Sequence, residues 1–237
     1  MAEPQIVALG GLGEDDDSAG RLIRFALSLT GKERPRVCLV PTATNELPEY
    51  TVRFYENLNG VADCSHVSFF PWPRAGLREH VLAQDAVFVS GGNTANLLAI
   101  WRAHGFDEVI REAWEQGIVL AGSSAGMICW FEAGVTDSFG PQLEGMRDGL
   151  GFLPGSACPH YDGEERRRPV YTRLVANGFP AGMAADDAVG LHYVGTELRE
   201  AVTVREGAQA YRVERGNEIA IAPRLLEKEK GPHEGGP

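Results

Sequence analysis

Ile118-Val119-Leu120-Ala121-Gly122-Ser123-Ser124-Ala125-Gly126 is the stretch that decides how this chain reads. Four apolar residues run directly into a G-x-S-x-G pattern, the signature of an elbow at which a buried strand turns sharply into a helix and lifts the central serine above the sheet edge. The pattern predicts a strand over Ile118 to Ala121 and a helix from Ala125 to Phe131. The first amide of that helix, on Ala125, is then aimed at the reacting centre, where it can stabilise an oxyanion. Ser124 is the candidate nucleophile.

Outward from the elbow, other short apolar runs end in Gly, Pro or Asn: Gln5 to Gly10, Arg36 to Pro41, His66 to Phe70 and Ala86 to Ser90. They read as buried strands. Between them lie helically periodic stretches, Ser18 to Leu29 and Thr94 to Ala103, with Ser18 and Thr94 as N-caps. Strands alternating with helices imply βαβ crossovers, hence an α/β, doubly wound, mostly parallel sheet with helices on both faces. After about residue 180 the pattern changes to Val189 to Tyr193, Ala201 to Arg205 and Ala208 to Val213, an antiparallel C-terminal extension of the same domain. Residues 1–226 are read as one domain and 227–237, EKEKGPHEGGP, as a disordered tail.

In such sheets ligands bind outside the carboxyl ends of the strands. The run Ala86 to Ser90 ends there in Gly91-Gly92-Asn93-Thr94, whose backbone amides, Gly92 first and Asn93 beside it, are candidates for the second oxyanion donor. A serine hydroxyl also needs a base. Of six histidines, His66 opens a predicted strand, His104 ends a helix and His233 lies in the tail, whereas His160 stands in Pro159-His160-Tyr161 after a short apolar stretch, where a loop at the sheet edge is expected.

Composition narrows the function classes. The 237 residues are 43% hydrophobic and 23% charged with a formal net charge of -11, so the basic stripe that nucleic-acid binding needs is missing. No run of about 18 apolar residues and no signal-peptide pattern occurs, which gives the expectation of a cytoplasmic protein without a membrane span. Cys38, Cys64, Cys129 and Cys158 are widely spaced without a CxxC pair, so neither disulfides nor a zinc site is expected, and the chemistry calls for no metal or organic cofactor. Gly10-Gly11-Leu12-Gly13 lacks the GxGxxG spacing of a nucleotide site. Asp15-Asp16-Asp17 reads as favouring a helix N-terminus rather than holding a metal. Asp186-Asp187 either lines the pocket or closes a turn.

Five segments in order, Gly91-Gly92-Asn93-Thr94, Gly122-Ser123-Ser124-Ala125-Gly126, Thr136-Asp137, Gly151-Phe152-Leu153-Pro154 and Pro159-His160-Tyr161, resemble the peptidase E (alpha-aspartyl dipeptidase) family, whose wider relatives include cyanophycinase. The resemblance spans most of residues 5 to 215. It implies a class I glutamine-amidotransferase-like fold with serine in place of the amidotransferase cysteine, His160 as base, and an acid between serine and histidine that maps best onto Asp137, with Glu132 and Asp162 as alternatives. It also implies a small peptide substrate with an N-terminal aspartate, whose carboxylate Arg166 of Gly163-Glu164-Glu165-Arg166 would grip through two parallel hydrogen bonds. The loop between His160 and that segment is shorter than in the aspartyl dipeptidases, a departure that bears on strict Asp-X specificity. A cyanophycinase-like acidic isopeptide and a catalytically silent module binding a small acidic ligand are the alternatives, with homodimerisation left open.

Overall fold

The computed structural model describes residues 3–13 and 16–227. Asp15 and all of the expected tail except Glu227 lie outside them. Four strands arise from the apolar runs, β1 (Gln5–Leu9), β2 (Arg36–Val40), β4 (Ala86–Val89) and β5 (Val119–Ser123), and a fifth, β3 (Asp63–His66), stands just ahead of one. They pair in parallel in the order β1-β5-β4-β2-β3. Helices α1 (Asp16–Ser28), α2 (Pro48–Asn57), α3 (Leu77–Leu82), α4 (Thr94–Ala103) and α5 (Phe106–Glu115) lie in the connections.

The alternation along each strand explains why both faces are covered. Val7, Leu9, Val37, Leu39, Phe88 and Ala121 join a core with Leu22, Ile23 and Phe54 of α1 and α2. Ile6, Ala8, Cys38, Val40, Val87 and Leu120 point the other way into a core with Trp101, Phe106 and Ile110 of α4 and α5. Side chains two apart in a strand share a face, so continuous apolar runs demand partners on both.

Several boundaries differ from the expected ones. Ser18 lies inside α1, which starts at Asp16, rather than capping it, and the strands expected at Ala201 to Arg205 and Ala208 to Val213 run over Glu197–Thr203 and Ala210–Glu214. Three others have a visible local cause. The strand expected over His66 to Phe70 sits earlier, at Asp63–His66, because the amides of Phe69 and Phe70 go to the Glu46 carboxylate instead of to β2. The helix after the elbow, α6 (Ala125–Ile128), is shorter than expected, and Phe131 opens the strand β6 (Phe131–Thr136). The carbonyls of Cys129 and Trp130 accept amides of Leu150, Phe152 and Leu153, which ends the helix there. Finally, the N-cap of α4 is Asn93, whose Oδ1 accepts the Asn96 amide at 2.8 Å, and Thr94 is the first helical residue.

The C-terminal half builds two things. β10 (Val189–Val194) and β11 (Glu197–Thr203) extend the main sheet antiparallel from β1, and β14 (Arg224–Leu225) closes its edge. A second sheet, which patterning did not reveal, runs β13-β12-β9-β8-β6-β7, with β7 (Glu144–Met146), β8 (Leu153–Cys158), β9 (Gly182–Ala185), β12 (Ala210–Glu214) and β13 (Asn217–Ile221). Phe131, Leu153 and Met183 of this sheet share the core of Ile6 and Val87. A helix, α7 (Arg167–Ala176), is tied to the second sheet by Arg167, which is buried and donates to the Val135 carbonyl at 2.8 Å and to Glu164 at 2.7 Å.

Arg167→Ala strips the buried Val135 carbonyl and the exposed Glu164 carboxylate of a donor and leaves a void where the buried side chain lay, and is expected to cost about 2–4 kcal/mol in urea denaturation. Arg168→Ala, at an exposed pair with Glu218, is expected to cost no more than about 1 kcal/mol.

Candidate active site

Ser124 occupies φ 56°, ψ -108°, a strained conformation for a residue with a side chain. The flanking glycines make the bend achievable: a Cβ on Gly122 would lie 2.4 Å from the Gly126 carbonyl oxygen, and one on Gly126 would lie 2.5 Å from that of Val89. The Ser124 carbonyl accepts the amides of Met127 and Ile128, which fixes the first turn of α6. Among the described residues no acceptor engages the N–H groups of Ala125, Gly91 or Gly92. Gly92 has φ 125°, and a Cβ there would fall 2.1 Å from the Ala43 carbonyl oxygen, so only glycine fits.

The end of β1 gathers the remaining parts. Three successive carbonyls accept three distant amides: Leu9 takes Ser124 N–H at 3.0 Å, Gly10 takes His160 N–H at 3.2 Å, and Gly11 takes Ala188 N–H at 3.1 Å. His160, itself at φ 52°, follows β8, and its Nδ1 lies 2.6 Å from Oδ1 of Asp187. Both side chains are about a quarter to a third exposed, 24% and 32%. The Asp187 carboxylate is wedged between glycines: a Cβ on Gly11 would lie 1.9 Å from Oδ1 and one on Gly163 would lie 2.0 Å from Oδ2. With Nδ1 held by a carboxylate, the opposite ring nitrogen is the one left to face a nucleophile.

Behind Asp187 stands a second tier. Asp162 Oδ1 accepts the Asp187 amide at 2.9 Å, and Arg205 donates to Asp162 Oδ2 and, at 3.1 Å, to the Asp187 carbonyl. Burial raises the Asp162 carboxyl, but the hydrogen bonds from Arg205 and the Asp187 amide outweigh it and hold the group below its usual range. The neighbouring Asp186 is buried; its carboxylate accepts the Gln209 amide at 2.8 Å, and its carbonyl closes a turn by accepting the Val189 amide at 3.3 Å. Burial pushes its carboxyl up to about 6, against the pull of the Gln209 amide.

The structure anchors the backbones of Ser124 and His160 on adjacent β1 carbonyls, with Ala125 following the serine and Gly91, next to Gly92, packed against it. Among the described residues no hydrogen bond joins Ser124 Oγ to His160, and the imidazole meets a different acid from the one expected. Asp137 is exposed, and no hydrogen bond joins it to His160 among the described residues. The next residue explains why: Ser138 Oγ accepts the amides of Thr94 and Ala95 and its carbonyl accepts Asn93 Nδ2, which pins that loop to the β4 side of Ser124. His160 belongs to the β1 side. Glu132 is spent on the Gly155 amide at 2.8 Å, and Asp162 supports Asp187 rather than the ring. The Asn93 amide, expected as a candidate oxyanion donor, donates instead to the Ala43 carbonyl at 2.8 Å, and the Asn93 side chain acts as a helix cap and bridge to Ser138. Arg166 precedes α7 and spends one N–H on the Pro141 carbonyl at 3.2 Å. Asp187 is the site residue whose role sequence reasoning left open; two adjacent carboxylates between apolar strands were the available signal.

Among the described residues no three His, Cys, Asp or Glu side chains cluster to hold a metal ion, and no helix is long and apolar enough to cross a membrane.

Comparison with known proteins fits this geometry. The sequence profile of peptidase family S51 matches residues 6–201. The chain belongs to peptidase family S51. Within the family's reach lies the uncharacterized peptidase YgaJ of Bacillus subtilis (strain 168), 47% identical over 226 residues, which are 92% of this chain and 96% of that one. Two crystal structures share the fold. A peptidase from an acI-B1 Actinobacterium aligns with TM-score 0.69 at 16% identity over 93% of this chain and 95% of its own. A candidate peptidase E protein from Listeria monocytogenes EGD-e aligns with TM-score 0.62 at 17% identity over 86% and 99%. The S51 chain is thus a peptidase by family.

The raised Asp186 carboxyl has a thermodynamic sign. A carboxyl that holds its proton more tightly folded than unfolded lowers stability as pH rises from about 4 through about 6. Asp186→Asn is expected to raise the thermal midpoint above that of the native chain at pH 7.5, with the gain vanishing near pH 4, as read by circular dichroism. Asp187→Ala is expected to lower kcat for peptide hydrolysis by about 10³–10⁴, the scale of losing an imidazole-orienting acid, whereas Asp137→Ala changes it less than tenfold.

Proposed function

We propose that this S51 peptidase is a serine peptidase that hydrolyses small acidic peptides, Asp-X dipeptides first among them, through an acyl-Ser124 intermediate. The observation that carries the reading is the row of β1 carbonyls, which anchors the backbone of Ser124 and His160 one residue apart. In the first half-reaction Nε2 of His160 takes the Ser124 proton as Oγ adds to the scissile carbonyl. The Ala125 and Gly92 N–H groups, which have no acceptor among the described residues, receive the developing oxyanion. Collapse of the adduct expels the amine with the proton from His160. Water then enters and gives a proton to the same nitrogen as its oxygen adds to the acyl carbon; collapse of that adduct breaks the bond to Oγ, which takes the proton back from His160 and leaves the free acid and the restored serine.

Asp187 keeps the imidazole in the tautomer with hydrogen on Nδ1 and stabilises the imidazolium while it exists. The carboxylate of an N-terminal aspartate is assigned to Arg166, which has donors to spare beyond the one given to Pro141.

The test is hydrolysis of Asp-X and X-Asp dipeptides by the native chain and by Ser124→Ala, together with labelling by a small fluorophosphonate. Asp-X cleavage is expected to fall by about 10³ or more in the variant, and label to map to Ser124. Equal rates in the two proteins would remove the serine mechanism, and faster cleavage of X-Asp would remove the assigned specificity.

A further inference from the structure

One cavity beside the elbow has no part in the chemistry described above. It lies on the α1/α2 face of the main sheet, has a volume of about 140 Å³, and is walled by Ile23, Leu39, Phe54 and Phe88, with Ser90 and Gly91 at the sheet end. Gly91 links it to the nucleophile: a Cβ there would lie 3.3 Å from Cβ and 3.9 Å from Oγ of Ser124. Those four walls are apolar, while the exposed Tyr50 and Arg53 and the half-buried Asn57 of α2 also line the space, so it is the inner part that suits a hydrocarbon group. A dry cavity of about 150 Å³ lined by leucine, isoleucine and phenylalanine is large enough for benzene.

A second, independent feature points to a ligand. Ser90 is only 4% exposed, and its Oγ has no hydrogen-bond partner among the described residues. A buried hydroxyl without a partner is costly, so the Ser90 Oγ calls for one, whether an ordered water or a bound group. An apolar side chain attached to a peptide unit supplies both what the walls and what the hydroxyl lack.

From this the geometry points to a specificity pocket that takes one leucine- or phenylalanine-sized apolar side chain of the substrate, next to the scissile amide, with Ser90 Oγ bonded to a polar backbone atom of that residue. The inference rests on the peptidase reading of the site and adds to it the kind of residue flanking the cleaved bond. Binding energy from such a pocket separates substrates by about tenfold or more, since one methylene group alone is worth about 10–200-fold in fitted apolar pockets.

Two substrate series distinguish the side of the amide that enters. Asp-Gly, Asp-Ala, Asp-Leu and Asp-Phe vary the leaving group, and the p-nitroanilides of acetate, isovalerate and phenylacetate vary the acyl group. In one series the native kcat/KM is expected to rise about tenfold or more from the smallest to the leucine- or phenyl-sized member. Ala19→Phe fills the cavity from its α1 wall and is expected to bring that ratio close to one. Tyr50→Ala, on the exposed flank of α2, opens the wall without touching the core and is expected to lower the ratio several-fold, which keeps the test intact should the first variant misfold. A flat profile in both series, or a ratio that persists in both variants, overturns the inference.

A readout without turnover separates this inference from the mechanism. Ligand-observed NMR of isovaleramide is expected to show binding to Ser124→Ala and none to Ser124→Ala/Tyr50→Ala or Ser124→Ala/Ala19→Phe at the same concentration. That pattern, in a chain that cleaves neither series, would retire the serine mechanism and keep the pocket. Absence of binding to Ser124→Ala, or equal binding to all three, would retire the pocket.

Discussion

The site depends on the frayed end of one strand. Where β1 leaves the sheet, its last carbonyls have no strand to bond, and each unpaired carbonyl buried there would carry a penalty of about 1–3 kcal/mol. Leu9, Gly10 and Gly11 avoid it by accepting the amides of Ser124, His160 and Ala188. Backbone satisfaction and assembly of the site are therefore the same event. Three segments that are far apart in sequence are brought into register by hydrogen bonds that the strand would otherwise lack.

Close approach is what makes this possible, and it is achieved by omitting side chains. The carboxylate of Asp187 fills the volume that Cβ atoms on Gly11 and Gly163 would take, and the elbow folds over the space between Gly122 and Gly126. Each contact is rigid because the neighbours are backbone. The second tier of Asp162 and Arg205 then fixes the main chain of Asp187, so the acid is held at both its side chain and its amide. Such support from the second layer is how polar sites keep their geometry.

Most of the main sheet was legible in the sequence because its strands are buried on both faces and so appear as unbroken apolar runs. The elbow position of Ser124 and the placement of His160 in a loop after a strand were legible too, the first from glycines on either side and the second from the short apolar stretch before it. The second sheet was not. Its strands, such as Gly182–Ala185 and Asn217–Ile221, are short, and several are partly exposed or built from small residues, which leaves little periodicity to read. Asp187 escaped for a different reason: the family resemblance implied an acid between serine and histidine, but the strand order puts the loop of Asp137 on the β4 side of the elbow and the loop of Asp187 on the β1 side. Contacts of that kind follow from which strands are neighbours, a property no local pattern carries.

The four cysteines bear on how the molecule can be handled. Cys38, Cys129 and Cys158 are buried, and burial raises their thiols, those of Cys38 and Cys158 to about 12, while that of Cys64, half-buried, is also raised. At neutral pH all four stay protonated and sluggish toward electrophiles. The natural chain is in effect a silent background for thiol chemistry, so a spectroscopic tag on one introduced surface cysteine would report on a chosen loop with little competing signal.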